Sequence, residues 1–178
     1  MSTKFFYAVI MTAAGAAFQL LLFFTGLQTE NLATGKWVQW FGLGITVAVL
    51  YLGIRAVRDE SPGKTLTYGQ RVGAGVLISL YSGLMSAVYT FVHFKFINTE
   101  FADYMIEMTR AQWAARGLTP SQMEAAERIT RAMLGPGVQA IIAPVVTVLI
   151  GTIVSLVVAA FLATKLQPAA DAVPSQPS

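Results

Sequence analysis

The chain has no cysteine and one histidine in 178 residues, and only 12% of its side chains are charged. Without thiols a single chain can form no disulfide, no iron–sulfur centre and no Cys/His zinc cage, so no cofactor or metal is expected. The twelve Lys and Arg residues stand beside nine acids, and no cationic run explains the net charge of +3 or the isoelectric point near 9.3. Nucleic acid is therefore not an expected partner, and basic residues flanking membrane spans account for the excess. Charge is missing in another way too. Residues 5–29, 37–54, 72–94 and 138–164 contain no Asp, Glu, Lys or Arg.

What is abundant is oil-soluble surface: 55% of residues are hydrophobic and the mean hydropathy is +0.61. A hydrocarbon core about 30 Å thick needs roughly 20 helical residues, so the expected spans are about 5–27, 37–57, 72–94 and 138–164. The second is short unless Arg55 and Arg58 lay their stems along the helix and place their charges among headgroups. The fold class is therefore all-α: an integral membrane bundle of four transmembrane helices with an extramembrane amphipathic helical hairpin between spans 3 and 4. One domain fills 1–178, with a flexible tail at about 166–178. The Ala-rich patch at 13–17 imitates a signal-peptide cleavage site, but Leu20, Leu21, Leu22, Phe23 and Phe24 follow it and mark a retained span.

Four spans put both termini on one side. Lys4, Arg55, Arg58, Lys64, Arg71 and Lys165 fall on that side, and six cations fall opposite, so loop length decides. The cations of the short 55–71 connection lie close to span ends, which predicts cytoplasmic termini. Trp37, Trp40, Phe94, Phe96, Phe101 and Tyr104 are expected to form an aromatic belt at the outer interface.

The hairpin is expected at about 99–134. Thr119, Pro120 and Gln122 form an N-cap, a first-turn proline and the reciprocal residue of a capping box, and Gly135-Pro136 ends the helix they start. Glu124 with Arg128 and Glu127 with Arg131 are spaced for ion pairs along it. The preceding helix carries Glu100, Asp103, Glu107 and Arg110 on one stripe, read as solvated charge, and an apolar arc that needs covering.

Within the spans the polar groups are small. Gly75, Ser79, Ser82, Gly83, Ser86, Thr90 and His93 share one face of span 3, and Thr147, Gly151 and Ser155 repeat the pattern in span 4. Small residues every fourth position let helix backbones approach, so the two faces are expected to pack together with hydroxyl bonds between them. A hydrated path along the serines is the alternative. His93, two residues before Lys95, is expected at the bilayer edge with access to water, and Gln19 is expected to find a partner across helices. No span contains the carboxylate that ion-coupled carriers use. Ser82 and His93 lie on one helix, too far apart for a nucleophile and its base, and Gly63-Lys64-Thr65 lacks the rest of a phosphate-binding loop.

Three stretches carry a resemblance. Tyr51-Leu52-Gly53-Ile54-Arg55-Ala56-Val57-Arg58-Asp59-Glu60 with Leu66-Thr67-Tyr68-Gly69-Gln70, then Val88-Tyr89-Thr90-Phe91-Val92-His93-Phe94-Lys95-Phe96-Ile97-Asn98, then Gly151-Thr152-Ile153-Val154-Ser155-Leu156-Val157, resemble the bacterial membrane-protein family called domain of unknown function 4199. Thr99 departs from the proline expected after Asn98. The resemblance implies a four-span protein of the bacterial inner (cytoplasmic) membrane and brings no catalytic residues. The function expected is a non-enzymatic interaction or assembly protein, partnered by the lipid bilayer and by itself or another membrane protein. Arg55, Arg58, Asp59 and Glu60 form the candidate cytoplasmic contact patch. The alternatives are a small transporter or channel subunit using the polar face of span 3, and a lipid-associated envelope component that attracts anionic headgroups through Arg55, Arg58, Lys64 and Arg71.

Overall fold

A computed structural model describes residues 1–162. All regular structure within them is helical: α1 (Thr3–Phe24), α2 (Leu32–Val38), α3 (Trp40–Glu60), α4 (Tyr68–Val92), α5 (Phe101–Ala115), α6 (Pro120–Met133) and α7 (Pro136–Phe161). A 3₁₀ turn over Pro62–Lys64 and a π-helical turn over His93–Ile97 join them. Four stretches, Thr3–Phe24, Leu32–Glu60, Tyr68–Ile97 and Pro136–Phe161, are long and apolar enough to cross a membrane. The expected tail, and Lys165 with it, lies outside the described residues.

Local chemistry sets most boundaries. The Ser2 hydroxyl accepts from the amide of Phe5 at the start of α1. Reciprocal capping boxes, Thr67 with Gln70 and Thr119 with Gln122, open α4 and α6 and satisfy amides that a helix start leaves bare. Gly117 takes a φ of 76° at the turn between α5 and α6, a backbone shape costly for any residue with a Cβ.

Two features of the second and third membrane-length segments were not legible as pattern. The first breaks at Gln39 into α2 and α3, and Gly35 lies so tightly on the Leu27 backbone that no side chain fits there. The third ends in a wider turn, where the amide of Asn98 reaches five residues back to the carbonyl of His93 at 2.7 Å. Such π-turns cost helical regularity and are kept where a side chain must be re-aimed.

The ends of the bundle differ in what fills them. At the end holding residue 3, the 60–71 connection and Leu162, the centre is hydrocarbon: Ala8, Met11, Val49, Leu50, Ile54, Ile78, Val154 and Val158 pack together. At the other end, where the hairpin sits, the interior holds Gln28, Thr90, His93 and Asn98, each 9% exposed or less. Outward faces are strongly apolar, with Phe24, Val88, Ile141, Leu149 and Ile153 all exposed. In a helical bundle such a surface calls for lipid rather than water.

Candidate functional site

The face predicted on span 3 is closed by two neighbours. Toward α7 the contact is reciprocal: Ser155 stands against Gly75 and Ser79 stands against Gly151, each leaving no room for a Cβ on the glycine. Further along, a Cβ on Gly83 would lie 3.1 Å from Cα of Pro144, so α4 and α7 approach backbone to backbone. Ser79 and Ser155 are fully buried and Ser82 is 1% exposed. Ser86 and Thr147 are half-buried farther up the same pair of helices.

The hydroxyls bond differently from expectation. Ser79 donates to the carbonyl of Gly75 at 2.9 Å and Ser155 to that of Gly151 at 2.6 Å, each within its own helix. Close helix approach leaves these hydroxyls bonded to their own preceding turn, so at the small residues α4 and α7 meet by van der Waals contact, while the Tyr68 hydroxyl donates across to the carbonyl of Leu156 at 3.1 Å. The third buried serine bonds to a different helix. Ser82 meets Thr12 of α1 at 3.0 Å.

His93 is the clearest correction. Its side chain is fully buried rather than in reach of bulk water. The π-turn brings it inward, where Nε2 donates to Oε1 of Gln28 at 3.1 Å and Nδ1 faces the hydroxyl of Tyr89 at 3.2 Å. That hydroxyl is shared with the carbonyl of Ala16, 3.0 Å away. Nδ2 of Asn98 donates to the backbone carbonyl of Gln28 at 3.4 Å, which fastens the 25–31 loop to the end of α4. Gln28 escaped sequence reading because it lies in a loop between spans, and only its distance of 65 residues from His93 along the chain hid the pair.

The predicted aromatic belt is divided by this arrangement. Trp37, Trp40 and Phe96 face outward, whereas Phe94 turns in and lies 4.8 Å from the ring of Phe101. Phe101 and Tyr104 are half-buried on α5.

At the opposite end the four residues of the candidate contact patch stay near the surface, and three of them engage one another. Arg58 donates twice to Oδ1 of Asp59, and Arg55 lies 3.8 Å from Oδ2 of the same carboxylate. Glu60 accepts a bond from the Thr3 hydroxyl and so ties the start of α1 to the end of α3. Arg71 departs from the exposed cationic set. It is 6% exposed, and its Nη1 donates to the carbonyl of Leu162 at the C-terminal end of α7, where the helix dipole favours a cation. It is therefore not among the groups that face lipid headgroups.

The hairpin is held mainly by charges that cross between its helices. Arg110 reaches Glu127 at 2.8 Å and Arg131 reaches Asp103 at 2.7 Å. Of the two pairs expected along α6, Glu127 with Arg131 forms at 3.7 Å, and Glu124 with Arg128 does not form among the described residues. Arg131 thus serves both the local pair and the partner helix. On α5 the Tyr104 hydroxyl donates to Glu100. Partial desolvation, then the negative charges of Glu100, Glu30 and Glu107, hold this phenol above its ordinary ionisation range.

The described residues form a helical bundle with four segments apolar enough to cross a membrane, and Ser79, Ser82, Ser86 and Ser155 are each used in packing or in a local hydroxyl bond, or lie half-buried between helices. The chain belongs to the family described as protein of unknown function (DUF4199), whose model matches residues 7–164. No curated protein and no solved structure matches it.

Proposed function

We propose that this protein is a non-enzymatic interaction or assembly component of the bacterial inner membrane. All four apolar segments cross the bilayer, both termini are cytoplasmic, and α5–α6 is presented on the far side to a further copy or to another membrane protein. The observation that carries this reading is the state of α6. It contributes no buried side chain, and Ile129 and Met133 remain 61% and 57% exposed. A helix with apolar side chains left uncovered by its own fold gains by burying them on a partner.

The non-enzymatic part of the reading is supported by how the reactive groups are occupied. Ser79 and Ser155 donate to their own helices, and His93 is held between Tyr89 and Gln28. A photocrosslinking residue placed at Ile129 should give a discrete higher-mass product in intact membranes, and Met133→Asp should abolish it. Recovery of isolated chains alone, after mild extraction and crosslinking, would sink the proposal.

A further inference from the structure

Beside the His93 cluster lies a cavity of about 370 Å³ whose lining comes from α1, the 25–31 loop, α2–α3, α4, α5 and α7. No charged residue lines it. Its polar wall consists of four carboxamides, Gln19, Gln28, Gln39 and Gln139, and the hydroxyl of Thr90. Phe18, Phe94 and Phe101 supply ring surfaces.

The hydrogen-bonding capacity of this wall is largely unspent. Thr90 is 9% exposed and Gln28 5%, yet the Thr90 hydroxyl and the Gln28 amide nitrogen make no hydrogen bond among the described residues; Gln28 uses Oε1 for His93. Gln139 uses its nitrogen on the carbonyl of Met133 at 3.1 Å and keeps its oxygen. Gln19, expected to find a partner across helices, makes no side-chain bond among the described residues and faces this space instead. Among the described residues none of these spare atoms is shut off from the space beside it, and unspent polar groups converging on one pocket with aromatic walls mark a place for a ligand that pairs them.

A second, apolar space lies beside the first. A groove of about 750 Å³ runs between α3 and α7, and Gln39 and Gly42 line both spaces. Along α7 the cavity takes residues from Gln139 to Val146, and the groove follows with Ile150, Ile153 and Val154, deeper toward the middle of the helix. Gly42 stands at the junction. A Cβ there would lie 3.3 Å from the ring of Phe18, so a large side chain would crowd the wall that the two spaces share.

We propose that these two spaces bind one lipid: an uncharged ring head bearing carbonyl groups sits among the glutamines and phenylalanines, and its hydrocarbon tail lies in the groove between α3 and α7. This is the chemistry of a prenylated quinone. Carboxamide nitrogens and the Thr90 hydroxyl donate to the ring carbonyls, and the phenylalanines cover the ring faces. An anionic head finds no cation in the cavity, since Lys36 lines only the groove, where its ammonium lies 5.8 Å from the ring of Trp37. A zwitterionic head would bury both charges in an uncharged wall. The proposal is independent of what α6 docks against.

Native mass spectrometry of the full chain, released from detergent, tests this. The probes are a benzoquinone and a naphthoquinone with the same short prenyl tail, the prenyl alcohol without a ring, and phosphatidylglycerol. A one-to-one adduct with either quinone, retained at least tenfold better than the alcohol or the phospholipid, is the expected result, and the better of the two quinones identifies the ring. Thr90→Val, Gln19→Leu and Gly42→Leu should each cut retention about tenfold, while outward-facing Leu149→Ala leaves it unchanged. Gln39→Leu, at an exposed position, keeps the test decisive where an interior variant fails to fold. Equal retention of alcohol and quinone, preference for phosphatidylglycerol, or indifference to all four cavity and junction substitutions would overturn the proposal.

Discussion

The two ends of the bundle solve the same burial problem with different materials. At the end holding Thr3 and Leu162, α4 and α7 meet through Gly75, Ser79, Gly151 and Ser155 over a hydrocarbon core, and the hydroxyls bond within their own helices. Near the hairpin, the helices stand around amides, an imidazole and a cavity. Where small residues let backbones touch, close contact leaves little space, and the bonds between α4 and α7 come from Tyr68 and Arg71 nearer the helix ends. Where larger polar groups are buried, the interior is held by specific bonds and retains room. The first region is close-packed and the second keeps open space beside its polar groups.

The comparison breaks most sharply at the seam. Gly151→Leu forces a side chain into Ser79 and should cost about 3 kcal/mol or more, since overpacking a close contact displaces backbone. Thermal unfolding in detergent should show it, and a variant as stable as the parent would show that the seam is loose. Arg71→Met is next: it removes a charged donor from the Leu162 carbonyl and should cost about 1.5 to 3 kcal/mol. At the hairpin end, His93→Leu leaves Oε1 of Gln28 unpaired in the interior, at about 1 to 3 kcal/mol. Adding Gln28→Leu should return part of that loss, and a double-mutant cycle with no coupling would separate the two residues energetically. Ser82→Ala should cost about 0.6 kcal/mol through its bond with Thr12, and Ser79→Ala less, because its hydroxyl bridges no helices. The smallest effect belongs to the hairpin's exposed pairs. Glu127→Gln should change stability by about 0 to 1 kcal/mol, and the difference should shrink in high salt.

Legibility followed the range of the interaction. The capping box at Thr119 and Gln122, the start of α6 and the small stripes of α4 and α7 are written within a few residues, and they stand where the pattern placed them. The partner of His93 was not legible, because a histidine next to Lys95 at a span end carries the same local signature whether it faces water or a loop folded back beneath it. Arg71 misled for a similar reason. Its neighbours in the chain are those of an interfacial cation, while its acceptor comes from a carbonyl 91 positions later. The glutamines were individually visible, but Gln19, Gln28, Gln39 and Gln139 are scattered over more than a hundred residues and share no motif.

By itself the sequence determined that this chain folds as apolar helices of membrane length, where α6 starts, and which faces are small enough for backbones to meet. These follow from hydropathy, helical period and capping, all of which act over one or a few turns. Tertiary structure alone decided that the serines bond inward along their own helices, that His93 is enclosed, that Arg71 caps α7, and that four distant amides share one cavity. Each of these depends on which helix comes to lie beside which, and packing across the whole bundle settles that, through contacts between residues that no local pattern joins.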